Sequence, residues 1–95
     1  MSAVLNIEDE KCVNVLKEMY NAQVASFFAD DAMPKVMDKL GLSEEEAMDY
    51  LKYFLEEGLI KKPALKPAFF FRPGFVQCFP VTLTARGLSK VKTED

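Results

Sequence analysis

The 95-residue sequence has no histidine and no tryptophan, and only two cysteines and four glycines. Without histidine there is no side chain poised to exchange protons near neutrality and no imidazole to bind zinc. Cys12 and Cys78 lack the close spacing of a metal or redox pair, so both are expected as buried thiols in a reducing compartment. The glycines form no phosphate-cradling loop, and no serine occupies a G-x-S-x-G turn. These absences remove the common catalytic constellations, so no enzymatic activity, cofactor or metal is expected. No apolar run has the length that crosses a bilayer, and residues 1–10 show no basic stretch followed by an apolar one. No membrane association and no secretory signal are expected, and the location is read as cytoplasmic.

Hydrophobic residues make up 49% of the chain and eight are phenylalanine, a composition that orders rather than unfolds. The length suits one domain, 1–95, with a modest core. The net charge of −3 conceals a division. Residues 1–60 carry 13 acids against 5 lysines, whereas residues 61–95 carry seven basic residues against only Glu94 and Asp95. Affinity for a polyanion therefore belongs to the C-terminal third.

The apolar spacing predicts a first helix over Ile7–Tyr20, with Cys12, Val13, Val15, Leu16, Met19 and Tyr20 on its buried side. Asn6 is its expected N-cap, with Glu8, Asp9 and Glu10 in the first turn. "NAQVASFF", residues 21–28, could prolong this helix or turn into an extended piece, and is read as a turn and a short strand. A second helix is expected to begin between Asp31 and Pro34 and to end at Gly41, with Val36, Met37 and Leu40 apolar. After the short link "GLS" comes a third helix whose ends are written in the sequence. Ser43 and Glu46 form a capping box, Leu42 and Ala47 a hydrophobic staple, and Gly58 a left-handed stop with Leu59 returning to Phe54. Ala47, Leu51, Phe54 and Leu55 are predicted to face the core, and Glu45, Asp49, Lys52 and Glu56 to face outward, with Tyr50 and Tyr53 between. Beyond Gly58, Leu59–Lys62 and Val76–Leu83 are read as the strands of an antiparallel hairpin around "PALKPAFFFRPGF". Thr84 can then cap a short last helix, 84–91, before a charged tail, 92–95.

This order of elements, with "GLI" at Gly58–Ile60 and a returning "LTARG" at Leu83–Gly87, resembles a winged-helix (winged helix-turn-helix) domain of the small MarR or PadR regulator type. The resemblance covers roughly residues 7–91. It implies an α+β fold with a helical core over 7–58, a β-hairpin wing over 59–83 and a short C-terminal helix. It also implies a transcriptional regulator that meets double-stranded DNA. Lys52 on the third helix and Lys61, Lys62, Lys66 and Arg72 on the wing are the residues that the resemblance places against DNA.

Two features keep a second reading open. Glu44, Glu45 and Glu46 favour the positive end of their helix, but at about 4 Å from a phosphate each would be repelled by about 1 kcal/mol in bulk water and about 4 at an effective dielectric near 20. The phenylalanine-rich wing also carries more apolar surface than phosphate contact needs. The regulator is therefore expected as a homodimer, and Phe69, Phe71 and Phe75, with Tyr53, are candidate interface residues for that homodimer or for a protein partner. The alternative to the DNA-binding regulator is thus a winged-helix interaction module using its acidic third helix or aromatic wing.

Overall fold

A computed structural model of the protein describes residues 10–28 and 31–92. Among the described residues five α-helices follow one another: α1 (Glu10–Ala25), α2 (Ala32–Leu40), α3 (Glu44–Glu56), the single turn α4 (Pro67–Phe70) and α5 (Ala85–Lys92). A 3-10 turn, Val76–Cys78, lies between α4 and α5. The architecture is all-α. The expected Asn6 cap and the acids Glu8 and Asp9 lie outside the described residues.

The middle of the chain folds as its local chemistry dictates. In α3 the Ser43 hydroxyl accepts from the Glu46 backbone N–H at 3.2 Å, and the Glu46 carboxylate accepts from the Ser43 backbone N–H at 2.9 Å. At the other end, Gly58 takes φ 71°. The Leu59 N–H then reaches the Phe54 carbonyl at 2.9 Å and the Gly58 N–H reaches that of Leu55 at 3.2 Å, a Schellman pair that satisfies two terminal carbonyls. Helix α2 also stops on a left-handed glycine: Gly41 takes φ 64°, and the Leu42 N–H donates to the Met37 carbonyl at 2.9 Å.

One core joins these elements. Helix α1 contributes Cys12, Val13, Val15, Leu16, Met19 and Ala22, and α3 contributes Ala47, Tyr50, Leu51 and Phe54. In α2 the fully buried residues are Ala32, Met33 and Val36, while Met37 and Leu40, expected inside, are only partly covered. Tyr50 is buried where a flanking position was expected, and Leu55 is partly exposed. Cys12 is buried, but Cys78 is exposed, against the expectation of two buried thiols.

The winged-helix expectation is overturned. Among the described residues there is no β-strand; the only β pairing is an isolated antiparallel bridge between Ile60 and Leu83. Its two bonds run from the Lys61 N–H to the Thr82 carbonyl (2.8 Å) and from the Thr84 N–H to the Leu59 carbonyl (3.0 Å). Pairing stops there for identifiable reasons. Pro63 and Pro80 have no N–H to donate to a ladder, and an isolated two-stranded hairpin is marginal in water. The segment between them buries aromatic rings instead. Pro67 opens the one-turn α4, which turns Phe70 inward, and the following 3-10 turn brings Val76 and Phe79 into the core. The short strand expected over residues 21–28 is also absent, because α1 continues to Ala25. The Gln23 side-chain oxygen accepts from the Leu83 N–H at 2.8 Å, so the outward donor beside the bridge is taken by a helix side chain.

Candidate interaction surface

Without a hairpin there is no wing to lie along a DNA backbone, so the DNA-binding regulator expected from the resemblance loses its contact element. The winged form of the protein-interaction alternative fails with it. The residues assigned to these roles nevertheless occupy definite places. Lys61, Lys62 and Lys66 are exposed, and none has an acidic partner among the described residues. Lys52 stands on the outer face of α3 with its Nζ 5.4 Å from the centre of the Phe71 ring.

Arg72 is held differently. Its Nε donates to the Phe69 carbonyl at 3.1 Å, and its guanidinium lies 4.9 Å from the Phe69 ring centre and 4.5 Å from that of Phe75. The two rings meet edge to face at 5.3 Å, so cation and rings brace one another. Gly74, at φ 84°, provides the left-handed turn that brings Phe75 back, and its N–H donates to the Glu44 carboxylate at 2.7 Å. That bond ties the aromatic turn to the first turn of α3.

From this surface a chain of rings leads into the core. Phe69 contacts Phe70 at 5.1 Å, Phe70 contacts Phe79 at 5.3 Å, and Phe71 stacks nearly parallel on Phe79 at 6.1 Å. Phe70 and Phe79 are buried, Phe71 and Tyr53 are half-buried against the core, and Phe69 and Phe75 are exposed. The phenylalanine run thus has an inner set that packs and an outer pair that projects.

A second apolar patch went unrecognised in the sequence. Val24 lies in the last turn of α1 and Phe27 and Phe28 follow the helix, with Phe27 91% and Phe28 60% exposed and their rings edge to face at 4.8 Å. Lys35 covers the helix end beneath them, its Nζ donating to the Ala25 carbonyl at 3.4 Å and to the Ser26 hydroxyl at 3.0 Å. The usable signal was the Phe27–Phe28 pair standing shortly before Asp30 and Asp31 in the sequence, where no helical or strand period gives it an inner face.

Among ionisable groups, Glu46 is held below its usual carboxylate range, chiefly by the hydrogen bond from the Ser43 backbone N–H and then by the Ser43 hydroxyl. This carboxylate is committed to capping, and its shift runs opposite to what a general acid at neutral pH requires. Among the described residues no group of three or more His, Cys, Asp or Glu side chains could hold a metal ion, and no helix is long and apolar enough to cross a membrane. Comparison with models of known families, with curated proteins and with solved structures finds no match to this chain.

Proposed function

We propose that the protein is a small helical interaction module that docks another polypeptide through the Phe69, Arg72 and Phe75 surface, and that it performs no chemistry of its own. The observation that carries this reading is the braced, outward-facing Phe69–Arg72–Phe75 cluster seated on the buried pair Phe70 and Phe79. Aromatic residues and arginine are the types enriched where binding energy concentrates. Phe69 is 39% and Phe75 38% exposed, so covering what remains of each ring would contribute roughly 1 kcal/mol. Arg72 is already restrained by a carbonyl and two rings, so docking would cost it less side-chain entropy than a freely rotating arginine loses. A cytoplasmic setting belongs to the same proposal; the exposed free thiol of Cys78 suits a reducing compartment.

The test compares polypeptides recovered with the wild-type chain from its native cell with those recovered by a Phe69→Ser/Phe75→Ser variant. Both chains are checked for equal helicity. Recovery of a partner, including a second copy of the chain, that is lost in the variant supports the proposal. An unchanged set of recovered polypeptides contradicts it.

A further inference from the structure

The cationic aromatic surface lies beside an acidic one. On α3 the exposed Glu45, Asp49 and Glu56 follow one another at helical spacing along one stripe, interrupted by Lys52. None of the three acids has a basic partner among the described residues. From Gly58 to Lys92, in contrast, there is no acidic residue at all, so Lys61, Lys62 and Lys66 have no local counter-charge. The two surfaces meet at Lys52 over Phe71 and at the bond from the Gly74 N–H to Glu44. Around that seam the surface carries the unpaired acids of α3 on one side and, on the other, the exposed rings with Arg72 and Lys66, which directly precedes α4.

We propose that this face pairs with the same face of a second copy across a two-fold axis, the acidic stripe of each chain opposite the lysines and exposed rings of the other. The inference rests on the interaction reading above and names its partner. The chemistry required of an occupant is carboxylates for Lys62 and Lys66 together with cations for Glu45 and Asp49, and the chain itself supplies both. A two-fold axis satisfies both requirements twice and closes the assembly, whereas head-to-tail use of the same contacts leaves a growing end. Complementary charge also fixes the register in which Phe69 and Phe75 are covered.

Sedimentation equilibrium on the full chain tests it, at low and at high salt. The two charge-reversed variants are Glu45→Lys/Asp49→Lys and Lys62→Glu/Lys66→Glu. The wild type is expected as a dimer that weakens as salt rises. Each variant alone is expected to dissociate roughly tenfold or more readily, because like charges now face each other in both contacts. An equimolar mixture of the variants should regain a two-chain mass, since each reversed patch finds its complement on the other variant. Circular dichroism establishes that the variants fold; if either does not, the salt series on the wild type decides.

A wild type that remains a single chain at high concentration and low salt overturns the inference. So does a dimer indifferent to salt, or a mixture that associates no better than its components. Self-pairing fails while the interaction reading stands if the chain is monomeric but still recovers a different polypeptide through Phe69 and Phe75. Both fail if nothing is recovered through those rings.

Discussion

Gly87 of α5 packs directly on the backbone of Leu59: a Cβ at position 87 would overlap the Leu59 carbonyl oxygen. The approach locks the last helix to the chain leaving α3. Thr84 completes the junction, its hydroxyl donating to the Gly58 carbonyl at 2.5 Å and accepting from the Gly87 N–H at 3.1 Å. Gly87→Ala must push α5 from Leu59, and overpacking of this kind costs about 1–3 kcal/mol. A thermal melt should show a lowered Tm for Gly87→Ala, whereas Ala at exposed Ser89, on the same helix, should leave it nearly unchanged. Equal melts would mean that the close approach is not part of the folded state.

The capping box makes a separable prediction. Ser43→Ala removes the hydroxyl that accepts from the Glu46 N–H and should destabilise the protein by about 1 kcal/mol, as measured by denaturant unfolding. No change in the unfolding midpoint would contradict the role of this cap.

Glu46 adds a pH dependence to the same cap. Its folded-state pKa is lowered, so its contribution is fully present above the ordinary glutamate value and is lost as pH falls through the lower folded value. Across that acidic window the wild type should lose more stability than Glu46→Gln, whose amide does not titrate. Parallel stability profiles for the two proteins would show that the carboxylate is not bonded as described.

The phenylalanines should separate by position. Phe70→Ala and Phe79→Ala leave cavities in the core and should each cost about 3–5 kcal/mol. Phe69→Ala and Phe75→Ala remove half-exposed rings, and each should cost about 1–2 kcal/mol, chiefly through lost contacts with Arg72 and each other. Unfolding curves for the four variants test the partition. A large loss from Phe75→Ala would place that ring in the core rather than on the binding surface.

How much of this was legible in the sequence differs between the two halves of the chain. Helices α2 and α3 could be read because their limits are local: Gly41 and Gly58 stop them, and Ser43 with Glu46 starts the second. "GLI" and "LTARG" also marked a real junction, the meeting of Leu59 with Gly87. The inference drawn from that junction, a hairpin wing, failed on what lies between. Prolines at 63, 67, 73 and 80 say where a ladder cannot extend, but not that Phe70 and Phe79 would be drawn inward by tertiary burial. Arg72 was identifiable as a cation, yet its place between Phe69 and Phe75 depends on the turn at Gly74 and on Glu44, thirty residues away. Phe27 and Phe28 were misplaced because Asn21–Ala25 prolongs α1 rather than forming a strand.

The central claim is that the Phe69, Arg72 and Phe75 surface is covered by another polypeptide. Its most direct measurement replaces Phe75 with a photoreactive benzoylphenylalanine, and separately does the same at exposed Asp38 on α2, in the native cell. After irradiation, position 75 should yield a discrete adduct to a second polypeptide chain, and position 38 should not. No adduct at position 75, or the same adducts at both positions, would contradict the account.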